Sequence, residues 1–346
     1  MTELVNKREQ LQNTFFPEKI PTLWCPLLTH YTDSGEIDKQ RMRQHIKYLR
    51  PYVSTFLAPG STGDGWEMEE SEIQTLLDFL LDEADEQKFW LMIGVLKTGK
   101  GEALQSIKET VKRLFNNENA PTNDFVQKRI CGFTVTPPKG KDLKQEEIYS
   151  ELEAILESGY PTALYQLPQI TENEMSPLTI QNLAEQYPNF YLMKDTSGED
   201  KVVLSEVDTF GVFMVRGAEG NYFDWMKTDG GHYDGLLLST ANCFAAQLSD
   251  IIKYSKNGQN DLANKVSKKI SNVAEEVFSL AADLSFGNQF TNANKLIDHH
   301  LAHGKNALKA DLPMTHSGNR LPEELIKKTG VILEKYSLLP EKGYLD

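Results

Sequence analysis

The chain has 346 residues and a formal net charge of -14, from 36 basic and 50 acidic side chains. This length suffices to bury the core of one large α/β domain with an appendage, or of two smaller domains. The excess of acid opposes sequence-independent attraction to nucleic acid phosphates and to anionic membrane surfaces. We therefore expect neither nucleic acid nor membrane as a partner.

The N-terminal segment, residues 1–20, is polar and charged, and it lacks the apolar run and cleavage site of a signal peptide. No stretch of the chain is long and apolar enough to span a membrane. Cys25, Cys131 and Cys243 lie far apart in apolar stretches, which is typical of buried thiols in a reducing compartment. These features predict a cytoplasmic protein without disulfides.

Short apolar runs alternate with amphipathic stretches of helical spacing, which predicts an α/β fold with a parallel sheet. Eight such units are the number that closes a (β/α)8 TIM barrel, and an open doubly wound sheet is the alternative. We predict a barrel over residues 21–257 and a C-terminal helical region over residues 258–346. The predicted strands are residues 22–28, 53–59, 89–95, 132–136, 162–166, 190–194, 212–216 and 235–239.

Lys194 ends the sixth of these runs and is followed by Asp-Thr-Ser-Gly. Barrel enzymes place their chemistry at the carboxyl ends of the strands, so this lysine is expected at the mouth of the barrel. A lysine that loses its water favours the neutral amine, which attacks the carbonyl of a keto acid and forms an imine. The alternative is a structural lysine held in an ion pair with Asp195.

Two other strand ends carry residues suited to the same pocket. Ser61, Thr62 and Gly63 follow the second run within a glycine-rich stretch that can expose N–H groups to a carboxylate or phosphate. Tyr165 ends the fifth run, where a phenol could move a proton. The alternatives are an ordinary glycine-rich turn and a packed aromatic side chain with a satisfied hydroxyl.

Four motifs in register resemble the dihydrodipicolinate synthase and N-acetylneuraminate lyase family, from about Pro21 to the helix after Asn242. They are residues 60–64, 165–168, 194–198 and 235–242. The resemblance implies a TIM barrel and a lyase of the class I aldolase type. It also implies a homo-oligomer, either a dimer or a homotetramer built from two dimers.

The resemblance implies site roles as well. Lys194 forms the Schiff base, Tyr165 relays protons, and Ser61 and Thr62 hold the carboxylate of the keto acid. The remaining substrate-binding positions are Gly63, Thr136 and Leu237. No cofactor and no metal is expected, because the iminium formed on the lysine is itself the electron sink.

Two departures from the family pattern bear on the substrate. Residues 136–139 read Thr-Pro-Pro-Lys where the synthases usually show Thr-Pro-Tyr-Tyr, so Pro138 and Lys139 leave the relay without its second tyrosine. Ile170 stands where the synthases carry an arginine for the carboxylate of the aldehyde partner. We therefore expect a lyase, aldolase or dehydratase acting on pyruvate or a 2-keto-3-deoxy acid. The alternatives are the 4-hydroxy-tetrahydrodipicolinate synthase of lysine biosynthesis and a non-catalytic keto-acid-binding homologue.

Other patterns resemble known sites less well. Residues 94–101 nearly match a phosphate-binding loop, but Gly101 replaces the serine or threonine that would bind magnesium, so we expect a turn. His299, His300 and His303 are expected to be surface histidines, not metal ligands. Trp66 is the tryptophan best placed to contact substrate. The polar insertion at residues 116–129 has no functional interpretation.

Overall fold

The computed structural model describes residues 3–346, in which eight parallel strands form a closed barrel whose order follows the sequence. Nearly every strand residue is buried, which explains why the strands read as continuous apolar runs. The predicted fold class is confirmed, and each predicted strand overlaps an observed one. The strands are β1 (Leu23–Pro26), β2 (Thr55–Ala58), β3 (Trp90–Val95), β4 (Ile130–Val135), β5 (Thr162–Gln166), β6 (Phe190–Asp195), β7 (Phe213–Arg216) and β8 (Gly235–Leu237).

Helices precede, connect and follow the strands. Before and within the barrel they are α1 (Glu3–Phe15), α2 (Lys39–Leu49), α3 (Glu70–Gln87), α4 (Glu102–Phe115), α5 (Thr122–Gln127), α6 (Gln145–Leu156), α7 (Pro168–Thr171), α8 (Pro177–Gln186) and α9 (Lys201–Leu204). After β8 they are α10 (Ala241–Lys256), α11 (Asn260–Ala282), α12 (Gln289–His303) and α13 (Glu323–Lys335). The C-terminal helical region is therefore present as predicted. None of the helices in residues 3–346 is long and apolar enough to cross a membrane.

The helices form where helical spacing and capping agree. In α2, Met42, Ile46 and Leu49 are buried on one face, at the spacing of successive helical turns. Asp38 caps the helix, because its carboxylate accepts a hydrogen bond of 2.9 Å from the N–H of Arg41. This agreement of apolar spacing and capping explains why a helix forms over these residues.

The contacts within the chain divide it into two units. One comprises the residues up to Thr22 together with Trp90–Ala218 and His232–Leu237, and therefore holds β3 to β8. The other comprises Leu23–Phe89, Glu219–Gly231 and Leu238–Asp346, and holds β1, β2 and α10 to α13. We call them the first and the second unit.

The N-terminal helix α1 was not predicted, and a buried arginine attaches it to the first unit. The guanidinium of Arg8 donates hydrogen bonds to the backbone oxygens of Phe190 (2.7 Å), Ala184 (2.5 Å) and Tyr187 (2.9 Å), and also to that of Phe210. Arg8 is completely buried. A polar helix can thus be held in place by one side chain that satisfies several backbone carbonyls. The weak apolar pattern of this segment did not indicate such a helix.

We expect Arg8→Ala to lower the free energy of unfolding by about 3 to 5 kcal/mol, because buried carbonyls lose their donor and a cavity is left. Chemical denaturation of the folded variant measures this loss. Lys7→Ala is the matched control, since Lys7 is exposed on the same helix and pairs only with Glu3. An Arg8 variant as stable as the Lys7 variant would contradict this account of α1.

Two further predictions can be compared with the structure. Cys25, Cys131 and Cys243 are buried, as predicted, and no disulfide joins any two of them. In the insertion at residues 116–129, α5 buries Phe125, whose ring lies 4.6 Å from that of Phe115 between ring centroids. The insertion therefore has a packing role in the first unit.

Candidate active site

Lys194 lies near the end of β6 and is 4% exposed. Its ammonium nitrogen lies 4.2 Å from the centroid of the Tyr165 ring, because β5 and β6 are paired with these two residues in register. An amine over an aromatic face has lost most of its water while keeping a favourable electrostatic contact. This arrangement brings together the two residues predicted to carry the chemistry.

Asp195 does not pair with Lys194, so the alternative of a structural ion pair is wrong. The Oδ1 atom of Asp195 accepts hydrogen bonds from the N–H (2.9 Å) and the hydroxyl (2.6 Å) of Ser197. Successive side chains of a strand point to opposite faces, which separates the two residues. No carboxylate among residues 3–346 forms an ion pair with Lys194.

A buried polar network surrounds Asp195 in the first unit. Asp200 accepts hydrogen bonds from the Arg216 guanidinium (3.2 Å) and from the Tyr233 hydroxyl (2.6 Å). Burial raises the pKa of the Asp195 carboxyl, and the hydrogen bonds from Ser197 oppose that shift. These groups hold the turn after β6, and with it the position of the Lys194 backbone.

Gly217, which follows β7, leaves the space that the Lys194 side chain occupies. A Cβ at this position would lie 2.8 Å from Cε of Lys194 and 2.9 Å from Cγ2 of Thr196. The N–H of Gly217 donates to the backbone oxygen of Asp195 at 2.6 Å, so the backbone is fixed close to β6. The sequence analysis missed this glycine, because only the barrel brings it beside the lysine.

We expect Gly217→Ala to lower turnover by about 100-fold, since displacing a reacting group by about 1 Å has an effect of this size. Steady-state kinetics of the folded variant measures the loss. Gly330→Ala is the matched control, because its Cβ would meet a side-chain carbon of His300 at the same 2.8 Å, in a helix of the second unit. Equal activity of the two variants would show that Gly217 does not position Lys194.

Tyr165, Thr136 and Leu237 are buried at the ends of β5, β4 and β8. Tyr165 is 2% exposed, so it packs as an aromatic while lying beside the lysine. The hydroxyl of Thr136 is buried and has no hydrogen-bond partner among residues 3–346. A buried hydroxyl of this kind can still donate to a substrate oxygen or accept from a substrate hydroxyl.

The two segments that depart from the family pattern contact one another. The side-chain amide of Asn173 donates to the backbone oxygen of Pro138 at 2.7 Å. Lys139 is half exposed and pairs with Glu172 at 3.0 Å. Lys139 is therefore engaged outside the buried residues around Lys194. Ile170 lies in the short helix α7.

In the second unit, Ser61, Thr62 and Gly63 form a 3-10 turn after β2. The N–H of Gly63 already donates to the oxygen of Gly60, so Gly63 shapes the turn and offers no free N–H. The backbone N–H groups of Ser61 and Thr62 donate to no backbone oxygen in the described part of the chain. Trp66 donates its indole N–H to the Ser61 hydroxyl at 2.8 Å, which orients that hydroxyl.

A second polar cluster that the sequence analysis did not assign follows β7 and β8 in the second unit. The carboxylate of Glu219 accepts hydrogen bonds from the hydroxyls of Ser239 (2.6 Å), Thr240 (2.6 Å) and Tyr222 (2.9 Å). The side-chain amide of Asn294 donates to the Ser239 hydroxyl at 3.0 Å. These hydroxyls lie at the carboxyl ends of strands, where barrel enzymes bind their substrates. The sequence indicated only that these residues follow the last two strands, and not that they form a cluster.

The predicted turn after β3 is held by two acidic side chains. The N–H of Gly99 donates to the Glu102 carboxylate at 3.0 Å, and that of Gly101 donates to Glu151. These donors are therefore occupied, in agreement with a turn.

The expectation of surface histidines was wrong for His299 and His300, which are buried and whose Nε2 atoms contact backbone oxygens at 2.8 Å.

Comparison with known proteins identifies the family. Residues 19–285 match the sequence model of the Dihydrodipicolinate synthetase family. The chain belongs to this family. The 4-hydroxy-tetrahydrodipicolinate synthase of Buchnera aphidicola is 26% identical over 248 residues, which are 70% of this chain and 77% of that enzyme. The Bacillus velezensis enzyme of the same name is 25% identical over 258 residues, 73% of this chain and 82% of that enzyme.

Solved structures of the Dihydrodipicolinate synthetase family share the fold. YagE of E. coli, solved with pyruvate, has a TM-score of 0.72 at 18% identity over 92% of this chain and 99% of its own. A variant of the Sulfolobus solfataricus 2-keto-3-deoxygluconate aldolase has a TM-score of 0.68 at 17% identity, over 92% and 96%. The predicted family is confirmed, and with it the coarse function, a lyase of the class I aldolase type.

Proposed function

We propose that this protein is a Schiff-base-dependent lyase or aldolase that acts on pyruvate or a 2-keto-3-deoxy acid through Lys194. The observation that carries the proposal is a buried lysine with no carboxylate partner among the described residues, held over the ring of Tyr165. A lysine amine that no carboxylate holds can attack the carbonyl of a keto acid and form an imine.

The proposed reaction conserves atoms and electrons. The neutral amine of Lys194 attacks C2 of the keto acid, and the adduct loses water to give an iminium. In the cleavage direction the C4 hydroxyl gives up its proton and the C3–C4 electron pair moves into the iminium, which becomes an enamine while the aldehyde leaves. A proton then returns to C3, and water hydrolyses the new iminium to release pyruvate and free the amine.

Tyr165 is the group we assign to proton transfer during imine formation and hydrolysis, because its ring lies against the Lys194 amine. Ser61 and Thr62 are assigned to the carboxylate of the keto acid through their hydroxyls and unoccupied N–H groups. Thr136, Gly63 and Leu237 are assigned to the walls of the pocket.

The aldehyde partner is proposed to be neutral and rich in hydroxyls. Ile170 cannot form the charge-assisted bonds by which an arginine binds a second carboxylate. The hydroxyls around Glu219 and the unpartnered hydroxyl of Thr136 suit a sugar chain instead. The lysine-pathway synthase is the second candidate, since curated relatives at 24% to 26% identity carry that name.

The substrate is tested by comparing two aldehydes with pyruvate under identical conditions. We expect kcat/KM for glyceraldehyde to exceed that for aspartate semialdehyde by roughly 100-fold, the equivalent of about 3 kcal/mol for a missing charged contact. Ile170→Arg provides the matched comparison, and this substitution should reduce the ratio of kcat/KM between the two aldehydes. Efficient condensation of pyruvate with aspartate semialdehyde by the unchanged protein would favour the synthase.

Assembly and location complete the proposal. We propose a homo-oligomer, either a dimer or a homotetramer built from two dimers, which sedimentation at working concentration tests. One solved family member is described as a monomeric dihydrodipicolinate synthase variant, so oligomerisation is not uniform among relatives. Three buried cysteines with no disulfide between them are typical of a reducing compartment, which supports a cytoplasmic location.

A further inference from the structure

Two histidines and an aspartate meet in the second unit, among residues that the Schiff-base chemistry does not use. His30 follows β1, His45 lies on α2, and Asp298 lies on α12. All three are buried, and one ligand-type atom from each lies within 4.8 Å of the others. The Nδ1 atom of His45 is 3.1 Å from Oδ1 of Asp298, and Nε2 of His30 is 3.7 Å from Oδ2.

The hydrogen bonds of Asn242 fix the proton on His45. The amide nitrogen of Asn242 donates to the backbone oxygens of Pro26 (2.8 Å) and Ser239 (2.9 Å), so its Oδ1 is an acceptor. The Nε2 atom of His45 lies 3.2 Å from that oxygen and must carry a proton. In the neutral ring, Nδ1 then presents its lone pair to the carboxylate of Asp298.

A lone pair facing a carboxylate at 3.1 Å needs a cation between them. The hydroxyl of Tyr344 lies 2.9 Å from Nδ1 of His45 and 2.8 Å from Oδ1 of Asp298, but its single proton serves only one of them. A second proton on His45 would satisfy Asp298. It would leave Nε2 of His30 buried without a hydrogen-bond partner.

One metal ion satisfies all three atoms. We propose that His30, His45 and Asp298 form a site for a divalent transition-metal ion of the zinc class. Two imidazole nitrogens and a carboxylate oxygen are a donor set that zinc prefers.

The surroundings fit a cation with an open coordination position. His30 and Asp298 line a cavity of about 380 Å³, which has room for water on the metal. Among residues 3–346 the wall of this cavity carries more carboxylates than cations. The carboxylates belong to Asp33, Asp38, Asp298 and Asp311, and the cations to Arg41, Lys295 and Arg320. Arg41 donates to Oδ2 of Asp298 at 2.5 Å and thereby orients that carboxylate, as outer partners of metal ligands do.

Zinc binding to the full chain without a histidine tag tests the site. The protein is stripped with chelator and titrated calorimetrically with zinc chloride, and one equivalent is expected to bind. We expect His30→Gln to weaken zinc binding by at least about 100-fold, the upper end of the loss on removing an outer partner. His303→Gln is the matched control, because His303 lines the same cavity outside the three ligands, and its affinity should be unchanged.

Two measurements on the unchanged protein test the site even if a variant folds poorly. Cobalt bound to the unchanged protein should give the visible absorption of a low-coordinate nitrogen and oxygen site. Nitrogen NMR of the histidines reports whether both nitrogens of His45 carry protons, and zinc should shift the signals of His30 and His45. A folded protein that binds no equivalent of zinc, or a His30→Gln variant with undiminished affinity, would overturn the proposal. So would a His45 imidazolium unaffected by zinc.

Discussion

Lys194→Arg is expected to reduce turnover by at least about 1000-fold, because a guanidinium stays protonated and cannot attack a carbonyl. The substitution keeps the positive charge beside the Tyr165 ring, so the fold and the aromatic contact should persist. Steady-state assays of pyruvate release from a 2-keto-3-deoxy acid measure the loss. Circular dichroism confirms that the variant is folded.

Lys201→Arg is the matched control for this variant. Lys201 belongs to the same unit, lies 55% exposed on α9 and pairs with Glu174, so its replacement should leave turnover unchanged. A Lys194→Arg variant that retains the activity of the Lys201 variant would show that the imine forms elsewhere or not at all. The Schiff-base proposal would then fail, while the fold and family would stand.

Tyr165→Phe is expected to lower turnover by about 100-fold to 10,000-fold, the range typical of losing a general acid or base. The substitution removes only the hydroxyl, and the ring that faces the Lys194 amine remains. Single-turnover measurements should show that imine formation slows while pyruvate still binds. This variant distinguishes an enzyme from a keto-acid-binding homologue. A binder would keep its affinity for the keto acid, and neither the unchanged protein nor the variant would show turnover.

Tyr191→Phe is the control for this second variant. Tyr191 lies on β6 and donates its hydroxyl to the backbone oxygen of Cys131 at 2.7 Å, so its loss should cost about 1 kcal/mol of stability and leave turnover unchanged. If Tyr165→Phe turns over at the rate of Tyr191→Phe, the proton relay has been assigned to the wrong residue. Another group, such as the Thr136 hydroxyl, would then become the candidate.

The fold could be predicted because every strand is buried on both faces and therefore reads as an uninterrupted apolar run. The pairing of Lys194 with Tyr165 followed from the same pattern, since adjacent parallel strands bring their ends together. The proposed carboxylate site at Ser61 and Thr62 depended on a glycine-rich turn that local sequence specifies. Family resemblance supplied the roles, which the residue types alone left open.

The remainder depends on contacts between residues distant in sequence. Arg8 attaches α1 through carbonyls that belong to residues more than 170 positions away, and no local pattern reports them. Gly217 is required by the side chain of Lys194, which reaches it only in the barrel. Helical spacing on α12 pairs His299 with His303, whereas Asp298 on the same helix meets His30 and His45, which are distant in sequence.

Borohydride trapping tests the central claim most directly. The protein is incubated with pyruvate, any imine is reduced, and the modified residue is located by peptide mass spectrometry, with Lys194→Arg treated in parallel. We predict a single pyruvate-derived adduct on Lys194 and none in the variant. Folded, unmodified protein, or an adduct on a lysine other than Lys194, would contradict the account.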